Sequence, residues 1–152
     1  MNNIDPLGLA YCTYSVSSHT LTCISNNYEV NKRSASLGPS GVFSGVGECR
    51  NNNSDPCAKS KDTGPIPQGN YSMNPDDRPG HAGYWRLEPD PKVSGWAYYL
   101  GGARGGFMLH PGSVSLGCIT SDKHNAGAMS QYNDVNNLLR SESGSNYLKV
   151  VP

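Results

Sequence analysis

Charge is scarce in this sequence and evenly split: 16% of its residues are charged, twelve basic against twelve acidic, for a formal net charge of zero. No block of like charge and no basic stripe runs through it, which argues against nucleic acid as a partner. Long apolar runs are missing too. None approaches the roughly 18 residues needed to cross a bilayer, so no membrane span is expected. No secretory signal opens the chain either, since Met1-Asn2-Asn3 leads straight into Ile4-Asp5-Pro6. Metal-ligand spacing is also lacking. His19, His81 and His124 are scattered, no H-x-x-x-H occurs, and Cys49 and Cys57 do not form C-x-x-C, so no metal site is expected.

Turn formers are what the sequence has in quantity: 18 Gly and 11 Pro in 152 residues, with 36% hydrophobic. That mix has too many breakers for a helical bundle and too much apolar content for a disordered tail. It implies one compact, loop-rich domain dominated by strands, long enough to bury a core.

The five cysteines are an odd number, which points to one thiol left free once the others pair. Cys12 and Cys23 flank Ser17-Ser18 and sit opposite each other in an antiparallel hairpin centred there. Cys49 and Cys57 bracket a polar loop, Arg50-Asn51-Asn52-Asn53-Ser54-Asp55-Pro56, short enough for a disulfide to close. Cys118 remains. Five reduced cysteines in a cytosolic protein is the alternative; the paired reading implies an oxidising compartment.

Along the chain, residues 1–9 read as a linker, because Asp5-Pro6-Leu7-Gly8-Leu9 holds breakers and no periodicity. One domain then covers residues 10–152. Residues 11–16 and 20–24 read as strands joined by the Ser-rich turn, with a third at 28–33. Residues 37–67 are almost all Gly, Pro, Ser, Asn and Asp, the composition of a functional loop. Further strands are expected at 70–74, 84–89, 96–100 and 147–151. The apolar run Phe107-Met108-Leu109 predicts a buried strand that delivers His110. Ala128, Met129, Tyr132, Val135, Leu138 and Leu139 share one face at helical spacing, which predicts a helix over 126–140. Asp76-Asp77 reads as a turn, and Tyr84, Trp85, Trp96, Tyr98 and Tyr99 as core.

The chemistry concentrates in Phe107-Met108-Leu109-His110-Pro111-Gly112-Ser113-Val114-Ser115-Leu116-Gly117-Cys118-Ile119-Thr120. A thiol is a nucleophile only as thiolate, and a neighbouring imidazole can take its proton. Pro111, Gly112 and Gly117 let the chain turn back and bring His110 and Cys118 together. Gly117 also removes a side chain beside the nucleophile and frees backbone N–H groups to hold an oxyanion. Ser115 is a candidate either to orient the imidazole or to hold substrate.

His110, Ser115, Gly117 and Cys118 resemble the H…S-x-G-C signature of L,D-transpeptidases with a YkuD-like catalytic domain, most closely the compact branch used as type VI secretion effectors. Those proteins also carry segments similar to Phe43-Ser44-Gly45-Val46-Gly47-Glu48-Cys49 and Gly64-Pro65-Ile66-Pro67-Gln68-Gly69-Asn70-Tyr71. The chain departs from the pattern where Leu116 precedes Gly117 and where Thr120 replaces the usual Arg. The carboxylate-binding role of that Arg is thereby left unassigned. Arg104, in a Gly-rich stretch, is the candidate to take it, since a guanidinium binds carboxylate bidentately. Tyr71 and Gly112, within the matching motifs, are candidate substrate contacts. Ile4-Asp5-Pro6-Leu7-Gly8-Leu9 resembles the end of an Rhs-repeat core, after which a toxin domain follows.

The resemblance implies an α+β, mainly β fold and a cysteine enzyme acting on the tetrapeptide stem of peptidoglycan. Cys118 would form a thioester and expel D-alanine, with His110 as base and then acid. Water would complete an L,D-carboxypeptidase reaction, and a free D-amino acid would give exchange. No cofactor is implied. The implied partners are the stem peptide, a cognate immunity protein and an Rhs core with its secretion apparatus. The implied place of action is the periplasm of a target cell, after secretion by a Gram-negative bacterium. Another Cys-His wall endopeptidase, or a non-catalytic wall-binding module, are the alternatives.

Overall fold

The computed structural model describes residues 10–25, 33–60, 62–76, 78–90, 106–142 and 146–152. The linker at 1–9, the strand expected at 96–100 and Arg104 lie outside these residues.

Strands β1 (Ala10–Ser15) and β2 (Thr20–Ser25) form a hairpin whose register sets Cys12 directly opposite Cys23, and a disulfide joins them. β3 (Arg33–Leu37) pairs with β2 and begins where the expected third strand ends. After the two-residue β4 (Val42–Phe43) come a 3-10 turn (Gly47–Cys49) and the one-turn helix α1 (Asp55–Ala58), tied by the Cys49–Cys57 disulfide. β5 (Gly69–Pro75), β6 (Trp85–Pro89), β7 (Met108–Gly112) and β8 (Ile119–Asp122) follow. The main helix α2 (Ala126–Ser141) and β9 (Asn146–Val151) complete the chain. The described strands make one nine-stranded, nearly closed sheet in the order β3-β2-β1-β9-β5-β6-β7-β8-β4. The fold is α+β, mainly β. β9 inserts between β1 and β5, parallel to the first and antiparallel to the second, and so splices the N-terminal hairpin to the rest.

Side chains alternate across this sheet, as strand geometry requires. Cys12, Tyr14, Tyr71, Met73, Trp85, Leu87, Leu109, Ile119, Leu148 and Val150 point inward and are buried. α2 packs on that inner face through Ala128, Tyr132, Val135, Leu138 and Leu139. Each of the larger side chains contributes up to about 1.5–3 kcal/mol by leaving water. Asn125 caps the helix by accepting from the Ala128 N–H at 3.1 Å. The helix is also pinned to the sheet by polar contacts. Trp85 Nε1–H donates to Asn136 Oδ1 at 2.9 Å, and the Tyr132 hydroxyl donates to the carbonyls of Gly83 and Leu109. The backbone beside His110 is therefore fastened from below. Residues at the opposite face, among them Tyr11, Tyr147, Arg86, Glu88, Met108 and His110, point outward.

The structure leaves Cys118 as the free cysteine. Protein unfolded without reductant is expected to titrate with one thiol per chain; five would contradict both bridges.

Candidate active site

β7 and β8 are parallel neighbours, with His110 paired to Thr120 and Leu109 to Ile119. Parallel partners ordinarily need a long crossover. Here the segment 113–118 has only about 10 Å to return, three strand residues, so it suffices. Gly117 sits at φ +111°, where a side chain would be strained. Cys118 follows it, next to the first residue of β8.

Two buried hydroxyls converge on the carbonyl oxygen of Cys118. Ser115 Oγ donates to it at 2.6 Å and Ser44 Oγ at 2.7 Å. Each hydroxyl also accepts a backbone N–H: Ser115 from Gly45 at 3.2 Å, Ser44 from Ile66 at 2.8 Å. The three motif segments around Ser44, Ile66 and Cys118 are thus knotted together at one point. The close approach needs glycine. A Cβ on Gly45, at φ +86°, would fall 2.7 Å from the Cys49 carbonyl oxygen, and one on Gly64 would overlap that of Cys57. Both oxygens belong to the cysteines of the second disulfide, so that bridge braces the knot.

The Cys118 sulfur lies 4.0 Å from Gly106 O and is hydrogen-bonded by the Met108 N–H. Burial pushes the thiol above its ordinary 9.0, opposed by that N–H. Burial likewise pushes the His110 imidazole below its ordinary 6.5. The uncharged form of each is favoured. His110 Nδ1 is 2.7 Å from Pro111 O. A carbonyl only accepts, so Nδ1 carries the proton and Nε2 the lone pair. The Thr120 hydroxyl lies 3.5 Å from Nε2. Among the described residues no hydrogen bond joins the thiol to the imidazole in the resting structure.

A column of rings backs the imidazole. His110 stacks on Tyr84 at 5.0 Å between centroids, and Tyr84 on His81 at 4.7 Å. His81 Nδ1 is 2.7 Å from Oδ2 of Asp76, whose side chain is only 1% exposed. Arg78 grips the same carboxylate through Nε and Nη2, at 2.6 Å for the shortest contact, and holds it far below the usual carboxylate range. From the sequence Asp76 reads as a turn residue, His81 as one of several scattered histidines and Tyr84 as core. Their spacing fits neither a helix nor a strand, so no periodicity marks them as one cluster.

Two expected roles need correcting, those of Ser115 and Tyr71. Ser115 is fully buried and bound to backbone, so it holds the Cys118 segment rather than the imidazole or substrate. Tyr71 is 1% exposed, its hydroxyl donates to Pro67 O at 2.5 Å and its ring meets Phe107 edge-on, so it is core. Gly112 serves His110: a Cβ there would fall 3.0 Å from the imidazole Cε1. Arg104 lies outside the described residues, as noted. A cleft of about 740 Å³ opens beside Gly106, Phe107 and Met108, with Arg78 and Arg86 on its walls. Among the described residues no helix is long and apolar enough to cross a membrane.

The model of the Tlde1 domain matches residues 39–150, a stretch that holds the serine knot, the ring column and the Cys118 segment. The chain belongs to the Tlde1 domain family. This is a family of type VI secretion effectors of the L,D-transpeptidase kind. Among solved structures the Tlde1 chain is similar to the helical cell shape determining protein Pgp2 from Campylobacter jejuni. The TM-score is 0.57 at 12% identity, over 97% of this chain and 49% of that one. A lysine-to-alanine mutant of Pgp2 gives 0.55 at 13% identity, over 97% and 48%. The Tlde1 chain spans about half the length of these proteins, and at such identity the likeness is one of fold. No curated protein matches it significantly.

Ser115→Ala would leave the Gly45 N–H buried without its acceptor. It is expected to destabilise the fold by about 1–3 kcal/mol, read from the denaturant midpoint. An unchanged midpoint would contradict the role given to the knot.

Proposed function

We propose that the chain is a cysteine L,D-carboxypeptidase of peptidoglycan tetrapeptide stems, with exchange where a D-amino acid serves as acceptor. The observation that carries this reading is a free thiol at Cys118, one residue before β8, beside the neighbouring strand β7 that holds an imidazole whose Nδ1 proton is fixed on Pro111 O.

In this scheme His110 Nε2 takes the Cys118 proton as sulfur attacks the carbonyl between the diamino acid and the terminal D-alanine. The new C–S bond forms, the negative charge collects on the carbonyl oxygen, and backbone N–H groups near Gly117 stabilise it. Collapse breaks the C–N bond, and His110 returns its proton to the departing amine. Water, deprotonated by the same nitrogen, then cleaves the thioester and releases the tripeptide acid and the thiol. A free D-amino acid attacking in place of water gives the exchanged stem. Because burial favours the neutral forms of both groups, the thiolate is made during attack rather than stored beforehand. Arg86, on the cleft wall with Glu88 at 3.9 Å, offers positive charge to the stem's carboxylates, whereas Arg78 is taken up by Asp76. Arg104, expected in this role, lies outside the described residues. The two disulfides suit an oxidising compartment, in keeping with action in a target periplasm. Delivery behind an Rhs core, and neutralisation by a cognate immunity protein, belong to the same reading.

Mass spectrometry of muropeptides incubated with the chain tests it. Loss of D-alanine from tetrapeptide stems supports the proposal; cleavage within the stem or the crosslink would make the enzyme an endopeptidase instead. Cys118→Ala is expected to abolish processing with the fold intact, and His110→Ala to slow it by about 10²–10⁴. Substantial turnover by the pure Cys118→Ala variant would sink the mechanism.

The pH profile gives a separate check. His110 must be neutral to act as base, and its pKa is lowered, so activity should persist down through the ordinary 6.5 and fall only below it. An acid limb of kcat/KM centred above that value would contradict the buried, uncharged imidazole.

A further inference from the structure

The outward sheet face continues well beyond the catalytic pair. Along one row, Tyr11 of β1 faces Tyr147 of β9, Tyr147 faces Ser72 of β5, and Ser72 faces Glu88 of β6. The neighbouring outward row on β6 and β7 is Arg86 and Met108, and the Met108 N–H is the one that meets the sulfur. Tyr11 and Tyr147 are 47% and 42% exposed, yet their rings lie nearly parallel, 24° apart with centroids at 5.8 Å. They line a cavity of about 770 Å³ that also presents Thr13, Ser72 and Lys149. This cavity shares Glu88 and Pro89 with the cleft beside Gly106 and Met108, the two residues whose backbone meets the Cys118 sulfur.

Two stacked aromatic rings left half in water, rimmed by hydroxyls and an ammonium, suit one ligand class. A pyranose ring presents C–H groups on its faces and hydroxyls around its edge, which suits an apolar platform with polar neighbours. Tyr147 and Tyr11 lie three and four strands from β7, roughly 14–19 Å at ordinary strand separation. The three stem residues before the scissile carbonyl span at most about 11 Å when extended, so the sugar docked on the tyrosines is a neighbour, along the glycan, of the one that bears the reacting stem. We infer that the Tyr11–Tyr147 pair is a glycan subsite, which docks the sugar backbone of peptidoglycan while the stem peptide of a neighbouring sugar reaches Cys118. The inference rests on the peptidoglycan reading given above, and deepens it.

The test is co-sedimentation of the full chain with insoluble glycan strands from which an amidase has removed every stem peptide. The unsubstituted chain is expected to sediment with this glycan. The Tyr11→Ala/Tyr147→Ala variant should bind about tenfold or more weakly, while Val46→Ala, an exposed apolar side chain elsewhere, should not differ. Failure of the unsubstituted chain to bind peptide-free glycan overturns the subsite, as does a folded double variant that binds as well as its parent. Since no stem is present, this outcome is independent of catalysis. Glycan binding without stem processing would sink the enzymatic proposal and leave the subsite standing.

Discussion

The carbonyl oxygen of Cys118 is the point on which the site depends. It accepts from two hydroxyls, Ser44 and Ser115, and each of those takes a backbone N–H from a different part of the long loop. Hydrogen bonds of this kind add only about 0.5–1.5 kcal/mol each, but an unmet partner in a buried place costs about 1–3 kcal/mol. The arrangement is therefore held less by attraction than by the penalty for undoing any one member. Gly45, Gly64 and Gly117 follow from it, since each supplies a conformation or a close approach that a side chain would block. The Cys49–Cys57 bridge follows as well, because its carbonyls form the surface on which two of those glycines rest.

The electrostatic character of the site comes from burial rather than from nearby charge. The thiol and the imidazole are both pushed toward their neutral forms. The one strongly held carboxylate, Asp76, is neutralised by Arg78 and reaches His110 only through two intervening rings. A carboxylate touching the imidazole would stabilise imidazolium and oppose a neutral base. The column instead fixes the orientation of the ring by packing, while Pro111 O fixes its tautomer. Orientation and protonation state are thus set by separate contacts.

Much of the frame could be read from residues alone. The hairpin follows from the equal spacing of Cys12 and Cys23 about Ser17-Ser18, and α2 from the apolar spacing of Ala128 through Leu139, because both are local patterns. A strand carrying His110 was legible for the same reason, although β7 runs on past it to Gly112. β8 was not, since Ile119-Thr120-Ser121-Asp122 is too short and polar to show a period and is a strand only because β7 lies beside it. Tyr71 looked like a substrate contact because its motif lies near the site, but the inward side of β5 claims it. Ser44 gave no sign of its contact with Cys118, 74 residues away. Long-range contacts of this kind leave no mark on local spacing.

The central claim is that Cys118, held by this knot, becomes acylated by the stem. Tetrapeptide stem mixed with the chain, quenched in acid over the first turnovers and digested, can be weighed peptide by peptide. The account expects the peptide bearing Cys118 to gain the mass of the stem less its terminal D-alanine. Turnover with that peptide unmodified at every quench time, or an adduct on any other residue, would contradict it.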